Sequence, residues 1–81
     1  MSGYSHYIYI FYAGWDNTDV RNNVKRRRKK QGLSQLQLAV RAGVGRSTIS
    51  NIENNKYIPG VDIALLLARA LQCRVEDLFN I

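Results

Sequence analysis

The sequence has few of the side chains that catalytic and metal sites require. It contains one histidine, His6, and one cysteine, Cys73, so it has no Cys/His cluster with metal-ligand spacing. It has no glycine-rich phosphate loop, and its only directly adjacent carboxylates, Glu76 and Asp77, suit the start of a helix. We therefore expect no enzymatic activity, no cofactor and no metal.

The single cysteine, the lack of long apolar runs and the short chain indicate where the protein resides and how many domains it has. One cysteine excludes an internal disulfide and fits a reducing cytoplasm. No apolar run is long enough to span a bilayer, and the N-terminus lacks the basic region that opens a signal peptide. The 81 residues allow one small domain, with no second domain to hold a ligand. We therefore expect a cytoplasmic protein with no membrane partner and no evident small-molecule ligand.

Acidic residues are scarce where basic residues are abundant. All twelve lysines and arginines lie in residues 20–81, which contain only four acidic residues and so carry a net charge of +8. Six of the basic residues are consecutive, from Lys25 to Lys30. A compact unit with this surplus favours polyanionic partners, nucleic acid before an anionic membrane. The alternative is a basic domain whose charge serves solubility alone.

Residues 1–19 differ from the remainder of the chain. Six of the eight aromatic residues lie there, and Tyr7–Tyr12 is aromatic and β-branched, which is typical of a strand. A single strand needs a partner to be stable. Three interpretations stay open: a strand that pairs with a second copy, a segment that senses or binds a partner, and a disordered or non-native extension.

Residues 20–81 read as a string of short helices. The first is expected from Thr18 or Asp19 to about Gln31, and Gly32 ends it. Ser34 and Gln37 form a capping box that opens the second helix, which ends at Gly43. Its expected buried residues are Leu36, Leu38, Ala39 and Ala42.

A third helix is expected from Gly45–Arg46 to Asn54–Asn55. Ile49 and Ile52 lie on its inward side, whereas its outward side carries Arg46, Ser47, Ser50 and Asn51. A fourth helix is expected over about Val61–Leu71, with Leu66 among its core residues, and a last helical turn covers Glu76–Phe79.

These residues resemble the phage-repressor, Cro/C1-type (XRE) family. The resemblance covers about Val20–Phe79 and rests on the motifs Gly32-Leu33-Ser34-Gln35, Leu38-Ala39, Gly43-Val44, Ser47-Thr48-Ile49-Ser50, Ile52-Glu53-Asn54, and Leu65 to Leu71 with Val75-Glu76-Asp77-Leu78-Phe79. It implies an all-α, five-helix, lambda-repressor-like domain that binds DNA as a dimer, with its third helix in the major groove. Gly45 departs from the family pattern because a serine or threonine cap is usual there.

The resemblance implies base-reading and phosphate-binding residues. Base reading falls to Arg46, Ser47, Ser50 and Asn51, and the side chains agree: arginine suits guanine and asparagine suits adenine. Phosphate contacts are expected from Gln35, Thr48, Asn54 and Lys56. For each residue the alternative is an ordinary solvated polar side chain.

Two structural expectations accompany this site. Arg28 and Glu53 lie on faces that should turn inward, and the family commonly pairs residues at these positions, so we expect a largely buried ion pair. The candidates for a dimer interface are Val75, Leu78, Phe79 and Ile81, although Leu78 also fits the core of one chain.

The sequence thus predicts a homodimeric transcriptional regulator, a repressor by preference, that binds two-fold symmetric double-stranded DNA. One alternative is an antitoxin that represses its own operon while it holds a toxin protein. Another is a protein-interaction module that kept the fold and lost DNA binding, against which the basic charge and Arg46 with Asn51 argue.

Overall fold

A computed structural model describes residues 21–80, which form five helices and one short pair of strands. The helices are α1 (Val24–Lys30), α2 (Gln35–Ala42), α3 (Arg46–Glu53), α4 (Val61–Ala70) and α5 (Val75–Leu78). The strands β1 (Arg21–Asn22) and β2 (Phe79–Asn80) are antiparallel, with Asn22 opposite Phe79. The expected five-helix domain is confirmed. The strand expected at Tyr7–Tyr12 lies outside the described residues.

The first helix begins later than the sequence predicts. Asn23 precedes α1, and its backbone N–H donates to the carbonyl of Leu78 at 2.7 Å while its side chain donates to the carbonyl of Asp77 at 3.0 Å. These bonds hold the chain against its C-terminal end. Because Arg21 and Asn22 pair as a strand with Asn80 and Phe79, and Asn23 after them is not helical, α1 starts at Val24 rather than near Thr18 or Asp19.

The two turns that flank α2 follow the sequence expectations. Ser34 Oγ accepts from the N–H of Gln37, and Gln37 Oε1 accepts from the N–H of Ser34, which completes the capping box. Gly43 ends α2 with φ of 76°, a conformation that costs glycine little. These two signals fix the start of α2 and the turn into α3.

The core lies where α2, α3 and α4 meet, closed by α1 and α5. Its fully buried large side chains are Val24, Leu38, Ile49, Ile52, Leu67, Leu71 and Leu78. Ala39 and Ala42 of α2 are also buried, and these small side chains let the neighbouring helices approach α2 closely. The buried spacing within each helix matches the helical period, which sets the orientation of its outer face.

Two leucines assigned to the core are exposed. Leu36 is 58% exposed and Leu66 is 38% exposed. Successive helical residues are rotated by about 100°, so Leu36 lies nearly opposite the buried Leu38, and Leu66 lies off the line of Leu67. Their hydrophobic side chains predict burial, but the position of each residue around its helix determines which side chains are buried.

The C-terminal residues proposed for a dimer interface belong largely to the core of one chain. Leu78 is fully buried and Phe79 is 8% exposed, and Val75 packs partly buried against the same cluster. Leu78 and Phe79 therefore offer almost no surface to a second copy: Leu78 takes the core position that the sequence also allows, and the expectation for Phe79 is corrected. Ile81 lies outside the described residues.

Candidate nucleic-acid interface

The outer face of α3 presents a row of polar side chains. Arg46, Ser47 and Asn51 are exposed, and Ser50 and Thr48 are half-buried at its margin. Ile49 and Ile52 are fully buried on the opposite side. Because those two isoleucines anchor α3 in the core, its outer side chains project from a fixed helix rather than from a loop.

Asn54 and Asn55 end α3. Asn54 Nδ2 donates to Ser50 Oγ at 3.4 Å, and the N–H of Asn54 donates to the carbonyl of Ser50 at 3.0 Å. Asn55 follows in the left-handed region with φ of 60°, which asparagine tolerates. Asn54 and Lys56 are both exposed beyond the last turn of α3.

A buried ion pair fastens α3 to α1. Arg28 Nε lies 2.7 Å from Glu53 Oε2, and Arg28 Nη2 lies 3.1 Å from Glu53 Oε1. The two side chains are only 8% and 2% exposed. Arg28 Nη1 also donates to the carbonyl of Leu33 at 2.7 Å, so the guanidinium is bonded on both sides. Arg28 and Glu53 thus form the inward-facing ion pair that the sequence predicts.

Gln35 joins the ion pair to the start of α2. Its Nε2 donates to Glu53 Oε1 at 3.1 Å. The side chain is half-buried at the first residue of α2, next to the capping residue Ser34. One amide N–H of Gln35 therefore orients Glu53, which leaves its second N–H and the free backbone N–H groups of the helix start for an anion.

Asn22 is a supporting residue that the sequence does not reveal. Its Nδ2 donates to the carbonyl of Ile52 at 2.9 Å and to Asn55 Oδ1 at 3.0 Å, and its Oδ1 accepts from the N–H of Val24 at 3.1 Å. One side chain thus connects β1, the start of α1 and the end of α3. These contacts cross about thirty residues of sequence, so no local pattern signals them.

The charged environment of α3 favours anions. Glu53 is the only acidic residue of α3, and it is occupied by Arg28 and Gln35. Elsewhere in residues 21–80, the run Lys25–Lys30 keeps four of its cations exposed: Lys25, Arg26, Lys29 and Lys30. The exposed side of α1 is thus cationic, which suits a polyphosphate partner.

The shifted acid groups of the described residues lie outside this face. The backbone N–H of Arg74 donates to Asp77 Oδ2 at 3.0 Å and holds the pKa of that carboxyl below its usual value. Partial burial raises the pKa of the Cys73 thiol. Across residues 21–80 there is no group of three or more His, Cys, Asp or Glu side chains that could hold a metal. No helix in that range is long and apolar enough to cross a membrane.

Two short helices joined by a tight turn, the second with a polar outer face, define a helix-turn-helix domain of the kind that binds DNA. The helix-turn-helix family model matches residues 24–78. An uncharacterised HTH-type transcriptional regulator of Archaeoglobus fulgidus is 40% identical over 60 residues, which cover 74% of this chain and 86% of that protein. The chain belongs to the Cro/C1-type helix-turn-helix family of DNA-binding transcriptional regulators.

Solved structures agree with this assignment. The restriction-modification controller protein C.AhdI from Aeromonas hydrophila superposes with a TM-score of 0.66 at 29% identity, over 68% of this chain and 83% of that chain. The N-terminal DNA-binding domain of SinR from Bacillus subtilis superposes with a TM-score of 0.64 at 33% identity, over 67% and 80% of the two chains. These likenesses cover the helical domain.

Proposed function

We propose that this regulator is a repressor that binds a two-fold symmetric operator as a homodimer, with α3 of each copy in the major groove. The observation that carries the proposal is the two-sided character of α3, whose apolar side is fixed in the core while Arg46, Ser47 and Asn51 face solvent. A groove-reading helix needs this division because its side chains must reach base edges from a rigid support.

Base reading is assigned to four side chains of α3. Arg46 can donate two hydrogen bonds to guanine O6 and N7, and Asn51 can pair with adenine N6 and N7. Ser47 and Ser50 can bond to base edges or pack against a thymine methyl group. Ser50 is the most constrained of the four because it already lies near Asn54 Nδ2.

Phosphate contacts are assigned to the two ends of the motif. Gln35 and the free N–H groups of α2 would hold one phosphate at a helix start. Thr48, Asn54 and Lys56 would contact the backbone around α3. These contacts would set the position of the domain on the duplex and would carry little sequence preference.

Repression follows most simply from occlusion. A dimer with α3 in two successive major grooves, about 34 Å apart, would cover a promoter segment against other proteins. The resemblance to phage repressors supports this direction of regulation. An autorepressing antitoxin would share the same DNA surface and differ by a second protein partner.

Selection from a random duplex pool tests the proposal. We expect the full chain to recover a two-fold symmetric motif whose half-sites are one helical turn apart, with binding that weakens steeply as salt rises because phosphate contacts release counterions. A recovered motif without two-fold symmetry would contradict the homodimer. Failure to bind any duplex at low salt would contradict DNA reading itself and would favour a protein-interaction module.

A further inference from the structure

One face of α4 is left uncovered by the other residues between positions 21 and 80. The helix buries Ala64, Leu67 and Ala68, whereas Leu65 and Leu66 are 48% and 38% exposed on its other side. Leucine is among the residues most often buried, and two exposed leucines side by side on a helix of ten residues form an apolar patch. An apolar patch with charged neighbours is typical of a contact surface for another molecule.

Charged residues of opposite sign stand at the two ends of this patch. Asp62 precedes the leucines and Arg69 follows them, and both are exposed. Positions 62, 65, 66 and 69 have the i, i+3, i+4, i+7 spacing that places residues on one helical face. We call these four residues the α4 stripe: an acid, two leucines and a base in order along the helix.

The α4 stripe is complementary to itself when one copy is reversed. Its midpoint lies between Leu65 and Leu66, and Asp62 and Arg69 are equally far from that midpoint. If two α4 helices pack antiparallel about a two-fold axis through this point, each Asp62 faces Arg69 of the second copy. The leucines of the two copies then meet at the centre, as an isologous interface requires.

We propose that the α4 stripe is the surface through which two copies of this chain associate. This surface takes the place of the C-terminal surface expected from the sequence, because Leu78 and Phe79 are buried in the core of one chain. It deepens the proposed function and rests on the homodimer invoked there. Its antiparallel arrangement also opposes the two helix dipoles, which is the favourable orientation.

The charge order points to a second copy rather than a foreign partner. A basic or an acidic partner would be matched by one sign of charge on this face, whereas the stripe carries both signs at symmetric positions. A stable interface covers about 800 Å² on each partner, more than one helical face supplies. Exposed Tyr57, Ile58 and Val61 lie just before Asp62 in the chain and can add apolar area.

Sedimentation equilibrium of the full chain across micromolar concentrations tests the apolar centre. We expect the wild type to dimerise and Leu65→Lys to raise the dimer dissociation constant at least about tenfold, since it places two ammonium groups at the centre of the interface. Leu36→Lys is the matched control, because Leu36 is similarly exposed on α2 and its change should leave dimerisation unaltered. Circular dichroism would verify that both variants keep the helical fold.

A charge-exchange cycle tests the antiparallel register. Asp62→Arg alone and Arg69→Asp alone each create two like-charge contacts and should weaken the dimer about tenfold. The double variant restores opposite charges and should recover dimerisation. Because it keeps arginine at the start of α4, recovery cannot come from improved helix capping. Glu76→Arg, the same charge change as Asp62→Arg at an exposed residue of α5, should have no effect.

The outcomes separate this inference from the proposed function. A wild-type dimer that survives Leu65→Lys, or a double variant that stays as weak as the single ones, would overturn the α4 stripe and leave DNA reading by α3 intact. The face would then belong to another occupant, such as residues 1–20 or a different protein. A wild type that stays monomeric even on its selected DNA would overturn the stripe and the homodimer together.

Discussion

At the scale of single residues, Glu53 does more than neutralise a charge. Its carboxylate accepts hydrogen bonds from Arg28 of α1 and Gln35 of α2, so the last residue of α3 is connected to both preceding helices. A buried charge pair with complete hydrogen bonding contributes little net stability, but it penalises any arrangement that separates the partners. We infer that the pair helps to fix the angle at which α3 leaves the core.

Removal of one partner should therefore be costly. Glu53→Ala leaves the Arg28 guanidinium buried without its counter-ion, and we expect the free energy of unfolding to fall by about 3–5 kcal/mol. Urea denaturation monitored by circular dichroism measures this free energy. Glu76→Ala, at an exposed acid of α5, is the control and should change stability by less than about 0.5 kcal/mol. A loss below about 1 kcal/mol for Glu53→Ala would show that the pair behaves as an exposed one.

The lowered pKa of Asp77 predicts how the stability of the fold changes at acidic pH. The N–H of Arg74 lowers the pKa of Asp77 in the folded state. The ionised carboxylate therefore contributes its full share of folding stability above the unfolded pKa of about 3.9. That share is lost as the pH falls through the folded pKa. We expect Asp77→Asn to remove part of the acid-induced loss in the urea midpoint between about pH 4 and pH 2. Glu76→Gln is the matched neighbour, and an equal effect from both variants would contradict the assignment.

At the scale of elements, the two glycines beside the turn have opposite roles. Gly43 has φ of 76° and needs the left-handed conformation, whereas Gly45 has φ of −76° and stands as the N-cap of α3 without a side-chain cap bond. A Cβ at Gly45 would find Thr48 Oγ1 at 3.8 Å and Ser47 Oγ at 3.9 Å, which is ordinary contact. The turn therefore requires glycine only at its first position.

Serine substitutions should separate the two roles. We expect Gly45→Ser to raise the free energy of unfolding by about 0.5–1 kcal/mol, through a cap on α3 and a less flexible unfolded chain. Gly43→Ser should lower it by about 1 kcal/mol or more because an L side chain is strained at that φ. Thermal unfolding of the two variants measures both changes. Equal signs would contradict this account of the turn.

The predictability of each element follows from the range of the forces that define it. The capping box at Ser34 and the turn at Gly43 depend on neighbouring residues, so the sequence predicts them correctly. The start of α1 depends on Asn23 contacting Leu78 and Asp77 far along the chain, and the local pattern extends that helix wrongly. Leu36 and Leu66 show a different limit, because hydrophobic type alone does not determine which side of a helix is buried.

At the scale of the whole molecule, the parts have separate tasks. The core and the Arg28–Glu53 pair hold α3, the outer face of α3 is proposed to read bases, and the exposed face of α4 is proposed to join two copies. The sequence predicts the inward Arg28–Glu53 pair because family motifs carry it, and base reading by α3 stays a prediction on the same ground. For the third task the sequence names a C-terminal surface that includes Leu78 and Phe79, whose burial depends on how the whole chain packs. Residues 1–19, with their aromatic segment, lie outside the described part of the chain and stay a separate hypothesis.

The central claim is that α3 reads DNA sequence, and Arg46→Ala tests it most directly. Selection from a random duplex pool should show that the variant loses the preference for guanine at one position in each half-site, at a cost of about 1–3 kcal/mol there, while the other positions persist. Arg74→Ala is the control, because this exposed arginine precedes α5 and its guanidinium lies 3.6 Å from Asp77 Oδ1, and it is assigned neither to the DNA surface nor to the α4 stripe. An unchanged motif for Arg46→Ala, or an altered one for Arg74→Ala, would contradict the account.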